Sequence, residues 1–226
     1  MFNYFTHTKM KKKCLYSGLM IVLVSIFFSA RAIAQDHEVT GDKDLMHSST
    51  LLNNDRSNAK TFNRDGLMHE QGGDFYKALE AYAKAADISP ENPIYSFNKG
   101  NMNFRMGNID EAISDFSTTI QLDKYDVEAY MARGNCYALN KNFDAAIKDY
   151  QRAVDLRPTF PKAYYQKGLY NLLAGNIEEA YDDFSQAVDI EPTFAKAWVN
   201  RGKVLNEMTR FRKARRDLNK AIDIDP

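Results

Sequence analysis

Four histidines, two cysteines and thirty acids are the side chains of this 226-residue chain best suited to do chemistry, and their spacing argues against catalysis. His7, His37 and His47 are scattered through the first part of the chain, and His69 stands alone in a helical pattern. No CxxC, HExxH, glycine-rich phosphate loop or serine–histidine–acid set has the spacing that metal, nucleotide or acyl-transfer chemistry needs. Glu178-Glu179 and Asp182-Asp183 read as solvated helix faces beside Lys and Arg, not as paired acids in a cleft. The chain is therefore expected to be no enzyme, with no cofactor, no metal site and no catalytic residue.

What remains is recognition chemistry. Arg210, Arg212, Lys213, Arg215 and Arg216, followed by Lys220, form a basic run opposed by Asp217. Such a run suits an acidic protein or an anionic membrane surface. Nucleic acid is not an expected partner, because the charge outside the first 34 residues is net negative. Those 34 residues hold five cations and no acid, which leaves 25 cations against 30 acids in the rest.

The elements that position these residues are legible from a 34-residue period. Gly66, Gly100, Gly134, Gly168 and Gly202 share one column, and Ala78, Ala112, Ala146, Ala180 and Ala214 another. A third column reads Tyr82, Phe116, Tyr150, Phe184, Leu218, and a fourth Pro90, Lys124, Pro158, Pro192, Pro226. Within each unit, apolar residues recur at three and four along two short runs. Tyr130, Gly134, Tyr137 and Ala138 mark the first run; Phe143, Ala146, Ile147, Tyr150, Ala153 and Val154 mark the second. Each unit is thus a helix hairpin. Gly73, Gly107 and Gly175 sit in the turns, where positive φ is needed. Gly and Ala in the helices mark close crossings, and Pro ends the second helix.

These columns resemble the tetratricopeptide repeat family over residues 59–226. The family's large fourth position is matched by Phe62, Tyr130, Tyr164 and Trp198. The resemblance implies an all-α, right-handed α-solenoid of five tetratricopeptide helix-turn-helix repeats, at 59–92, 93–126, 127–160, 161–194 and 195–226. Departures from the pattern are Ser96, Thr119 and Lys124, with Lys141 and Thr209 where a turn glycine is usual.

The resemblance also implies a concave surface, lined by the first helices, that takes up peptides. Its expected lining is Ile94, Phe97, Asn98, Asn101 and Phe104, then Met131 and Asn135, then Tyr165, Leu169 and Leu172, then Lys196, Val199, Asn200 and Lys203. Apolar side chains of an extended segment would sit in the stripe, and the amides would hold its backbone. Asn135, Lys196 and Asn200 match part of the set with which some family members grip a terminal carboxylate. Met131 and Gln166 break that set, so chaperone-tail recognition is not expected. The partner is expected to be a protein or peptide segment.

In the last unit, Arg215 stands in a column that reads Leu79, Ile113, Ile147 and Tyr181 earlier. A charge there suits an end cap. Leu218, Ala221, Ile222 and Ile224 are expected to face outward, which leaves self-association or partner docking through this end open.

Residues 1–34 read as an export signal. Lys11-Lys12-Lys13 precede an apolar run from Leu15 to Ala30, and Ala32-Ile33-Ala34 forms a small-x-small cleavage site. Met10, just before the lysines, is an alternative start to Met1. Residues 35–58 read as a polar linker, with a turn of helix around Leu45–Leu52. The expected location is the periplasm or cell envelope; an uncleaved signal would make a membrane-anchored adaptor that docks through its basic last repeat. Cys136 is left as the only thiol after cleavage, on the packed side of a helix.

Overall fold

The computed structural model describes residues 54–225, and among them the chain forms ten helices and no strand. They are α1 (54–71), α2 (Phe75–Ile88), α3 (Pro93–Met106), α4 (Ile109–Leu122), α5 (Val127–Leu139), α6 (Phe143–Leu156), α7 (Pro161–Leu173), α8 (Ile177–Ile190), α9 (Ala195–Glu207) and α10 (Phe211–Ile224). The expected export signal, the start-site alternative and the turn around Leu45–Leu52 lie outside the described residues. Residues 54–58, expected to be linker, are helical and belong to α1; they hold no Gly or Pro.

Odd-numbered helices pack against the even helix that follows, and even helices against the next odd one. Contacts run almost wholly between neighbours in sequence, so stability is built hairpin by hairpin in an α-solenoid. The aromatic column supplies the bulk of the core: Tyr82, Phe116, Tyr150 and Phe184 are all fully buried. The glycine column lets them in. A Cβ on Gly134 would stand 2.8 Å from Cε1 of Tyr150, and one on Gly66 2.7 Å from the Tyr82 ring. Each such crossing needs a hydrogen where any other residue carries a carbon.

All five hairpin turns use a left-handed residue. Gly73, Gly107 and Gly175 have φ of 80°, 81° and 84°, and Lys141 and Thr209 take the same place at 58° and 59°. The two departures therefore leave the turn geometry intact and cost strain instead, most for the β-branched Thr209. Thr209→Gly is expected to stabilise the last hairpin by about 1 kcal/mol, read as a higher denaturant midpoint with an unchanged slope.

Two other departures compensate each other. Ser96 stands where the pattern wants an aromatic and Thr119 where it wants Ala, and their hydroxyls lie 2.9 Å apart in a hydrogen bond inside the second hairpin. One of the two hydroxyls donates across this contact and the other to its own helix, where Ser96 Oγ lies 3.0 Å from the Pro93 carbonyl oxygen and Thr119 Oγ1 3.1 Å from that of Asp115. The neighbour of Ser96, Tyr95, is buried beside Ala59 and Ala85. Lys124, the missing proline, leaves α4 to end at Leu122 like its sisters, where the Asp123 N–H bonds back to Thr119. Cys136 is fully buried, and that burial pushes its thiol up to about 12, out of the reactive range.

Candidate partner-binding site

Ile94, Phe97, Asn101 and Phe104 fall on one face of α3, and residues at the same spacing share a face on α5, α7 and α9. Ile94 is 56% exposed; Phe97, Phe104, Tyr165, Leu169, Leu172 and Val199 are half-buried. None of these seven is sealed in the core. Phe97 leans on Phe116 with ring centroids 5.6 Å apart, and Tyr165 lies 5.9 Å from Phe184 and 4.9 Å from Phe194. One side of each ring is thus packed and rigid while the rest stays accessible.

Met131 departs from expectation. It is buried in the cluster that holds Tyr130, Val154 and Ala163, so it fills a gap in the core. Three of the four amides expected to meet a peptide backbone are also tied into the array. Asn98 Nδ2 donates to Asn63 Oδ1 at 2.8 Å, and Tyr150 Oη donates to Asn135 Oδ1 at 2.8 Å. Asn200 Nδ2 donates to Tyr165 Oη and to the Lys196 carbonyl. Such bonds set the orientation of neighbouring helices and reduce what the amides can offer a ligand. Asn101 is half-buried and joins none of them.

Two residues of this face were missed. Leu139 and Leu173, one turn beyond Asn135 and Leu169, are 59% and 63% exposed. The signal was a column that reads Arg105, Leu139, Leu173, Glu207, apolar in the middle and charged at both ends. Toward the last hairpin, Tyr165, Lys196, Val199, Asn200 and Lys203 surround one hollow of about 520 Å³, closed by Leu218, Ala221 and Ile222 of α10.

Arg210, Arg212, Lys213, Arg215 and Arg216 are all exposed on the last hairpin, with Arg210 stacked on the Tyr181 ring at 5.7 Å. Asp217 does not oppose them. It is 4% exposed and bound to Arg201, with oxygens 2.6 and 3.1 Å from the guanidinium nitrogens. Ala221, expected to face outward, is buried, whereas Leu218 and Ile222 are 38% and 61% exposed.

The Arg201–Asp217 pair is one rung of a ladder absent from the sequence expectations. Lys99–Asp115, Arg133–Asp149 and Lys167–Asp183 repeat it at 2.9, 2.8 and 2.8 Å. Asp183 is therefore no solvated carboxylate: it is 4% exposed, and burial holds it above its ordinary range although Lys167 and Asn171 both bond to it. Each pair joins the two helices of one hairpin. From the third hairpin on, the cation also reaches back to the hairpin before: Arg133 to Ser117, Lys167 to Gln151, Arg201 to Ser185. The rungs alternate. Lysine rungs add an asparagine, Asn103 or Asn171, and arginine rungs reach back to a serine. Hydrogen bonding to Asp149 raises Arg133 further above its already high range.

Stacked hairpins with a half-open apolar face on their first helices make the architecture of a protein–protein interaction scaffold. Among the described residues, no group of three His, Cys, Asp or Glu is placed to hold a metal, and no helix is long and apolar enough to cross a membrane. Family models of the tetratricopeptide repeat match residues 64–126, 127–160, 161–194 and 195–226, and the chain belongs to that family. Its sequence is similar to DnaJ homolog subfamily C member 7 of Homo sapiens, 28% identical over 130 residues that make up 55% of this chain. The match spans only 24% of that relative's length. Its fold is similar to that of MamA, with a TM-score of 0.69, 26% identity and coverage of 71% of this chain and 94% of the other. It is similar also to YrrB, a TPR protein with an unusual peptide-binding site, at a TM-score of 0.66, 22% identity and coverage of 79% and 92%.

Proposed function

We propose that this protein is a non-enzymatic scaffold that binds an extended, largely apolar protein segment along the face running from Ile94 on α3 to Lys203 on α9. The observation that carries this reading is the packing of Phe97 and Tyr165, each braced by a buried ring and half open outward. Preordered aromatics of this kind bury area at low entropic cost. Ile94, Leu139 and Leu173 extend the apolar surface, and Lys196 and Lys203 favour an acidic residue at one end of the segment. YrrB, on a similar fold, has a peptide-binding site, which supports a peptide or protein segment as the partner. The pattern of residues 1–34 supports work in the cell envelope after cleavage before Gln35. Retention of that segment would hold the scaffold at a membrane, and N-terminal sequencing of the protein from fractionated cells separates the two.

Because Phe97 and Tyr165 also brace the core, Phe97→Asp or Tyr165→Asp should weaken both binding and folding. The cleaner test uses side chains already in water. Leu139→Asp with Leu173→Asp is expected to weaken the partner's binding by about ten-fold or more while leaving the melting temperature unchanged. Calorimetry on a partner recovered by affinity capture reads the first, and circular dichroism the second. Equal affinity for the double variant and the parent would remove the groove as the binding site.

A further inference from the structure

Leu139 and Leu173, both exposed, end the first helices of two neighbouring hairpins, and each has a carboxylate close by. Beside Leu139, Asn140 Nδ2 donates to Asp110 Oδ1 at 2.9 Å. Near Leu173, Asp144 follows Phe143, whose ring centroid lies 5.6 Å from that of Tyr170, one turn before Leu173. Along this edge of turns the second helices open with Asp110 and Glu111 on α4, Asp144 on α6, and Glu178 and Glu179 on α8. All five are exposed, and among the described residues none is in an ion pair. The helix dipole does not demand them. Tyr76 and Arg212 stand in the column of Asp110, Asp144 and Glu178, and α2 and α10 form with no acid in their first turns. The leucines and the acids lie in the second to fourth hairpins, which have a hairpin on either side, so stacking alone sets their exposure.

The cations nearby do not balance these charges. Arg105 is held by Glu70 at 3.0 Å, and Lys148 shares a hollow with Glu179 and Asp182. Lys141 and Arg210 stand in the third and last turns. With Asp182 there are six exposed carboxylates against three free cations, Lys141, Lys148 and Arg210. An apolar pair set among carboxylates in excess specifies its complement. We propose that the segment bound on this face is basic, with apolar side chains on Leu139 and Leu173 and Lys or Arg side chains reaching Asp110, Asp144 and Glu178. This rests on the binding face proposed above and adds the chemistry of its occupant. First helices of neighbouring hairpins lie about 8–10 Å apart, a step that an extended chain covers in about three residues. Cations and apolar residues therefore have to be interspersed rather than grouped. Lys196 and Lys203 on α9 mark where the cationic stretch ends.

Three labelled peptides of about nine residues, roughly 30 Å when extended, test this on the full chain. Each alternates Leu with one polar residue, Lys, Gln or Glu, and has both ends capped so that no terminal charge contributes. Fluorescence anisotropy should show the Lys peptide binding at least about ten-fold tighter than the Glu peptide, with the Gln peptide between them. Binding of the Lys peptide should weaken several-fold between about 50 and 300 mM salt. Asp110→Asn, Asp144→Asn and Glu178→Gln together should bring the preference for Lys over Gln down to about one, with circular dichroism checking that the variant is folded. Asp155→Asn with Asp189→Asn, at the other ends of α6 and α8, should leave that preference as it is. A Glu peptide that binds as tightly as the Lys peptide, a preference that survives the neutral variant, or no binding by any of the three overturns the proposal. Leu139→Ser with Leu173→Ser, which adds no charge, tells this failure from failure of the face. If it weakens all three peptides while the parent shows no preference for Lys, the face stands and its basic occupant falls. If it weakens none of them, both fall.

Discussion

Gly134→Leu is expected to unfold the middle of the solenoid, at a cost of about 3 kcal/mol or more. The first added carbon would already lie 2.8 Å from Cε1 and 3.1 Å from Cδ1 of Tyr150, inside contact distance, and leucine adds three carbons beyond it. Tyr150 cannot step aside. Its ring is fully buried, stacks on Tyr170 at 5.6 Å, and ends in a hydroxyl bonded to Asn135. Relief therefore has to come from α5 moving off α6, which opens the core of the third hairpin. Gly72→Ala is the matched control, since the nearest atoms to its new carbon are 3.5 Å away and the effect should be under about 1 kcal/mol. An unchanged thermal melt for Gly134→Leu would refute close helix crossing as the reason for the glycine column.

Asp149→Ala is expected to cost about 3 kcal/mol, nearly as much, by a different route. It leaves Nε and Nη2 of Arg133, now bonded to the two carboxylate oxygens at 2.8 Å, without acceptors in a site where the arginine is only 19% exposed. Removing both charges should do far less harm. A double variant, Arg133→Leu with Asp149→Leu, is expected to recover most of the loss, because apolar side chains of similar bulk need no partner. Chemical denaturation of the two singles and the double gives a coupling energy. Additive losses would mean that the rung is surface decoration rather than part of the core.

The period, the hairpins and the three glycine turns were legible because each rests on residue types with few other uses: Gly at a crossing, Gly in a turn, Pro after a helix; that Lys141 and Thr209 keep the same left-handed turn was not. The compensation between Ser96 and Thr119 was not legible. Each looks like a lone defect until the fold brings the second hairpin's helices together. The ladder was missed for a related reason. A lysine or arginine sixteen residues before an aspartate reads as two solvated charges, and burial is a property of the stack. Its signal lay in the register, with Lys99, Arg133, Lys167 and Arg201 in one column and Asp115, Asp149, Asp183 and Asp217 in another. On the candidate binding face, spacing located the helices correctly. Pattern alone could not show that Met131 turns inward or that Asn98, Asn135 and Asn200 already have protein partners.

The alternation of lysine and arginine rungs makes neighbouring hairpins non-interchangeable. Excising 127–160 alone would set Lys167 opposite Ser117, a hydroxyl shorter than the Gln151 amide it now holds. Excising 127–194 would set Arg201 opposite Ser117, the same pairing that Arg133 makes today. The natural tile of this protein is therefore a hairpin doublet, and changes in its length should be accommodated two units at a time.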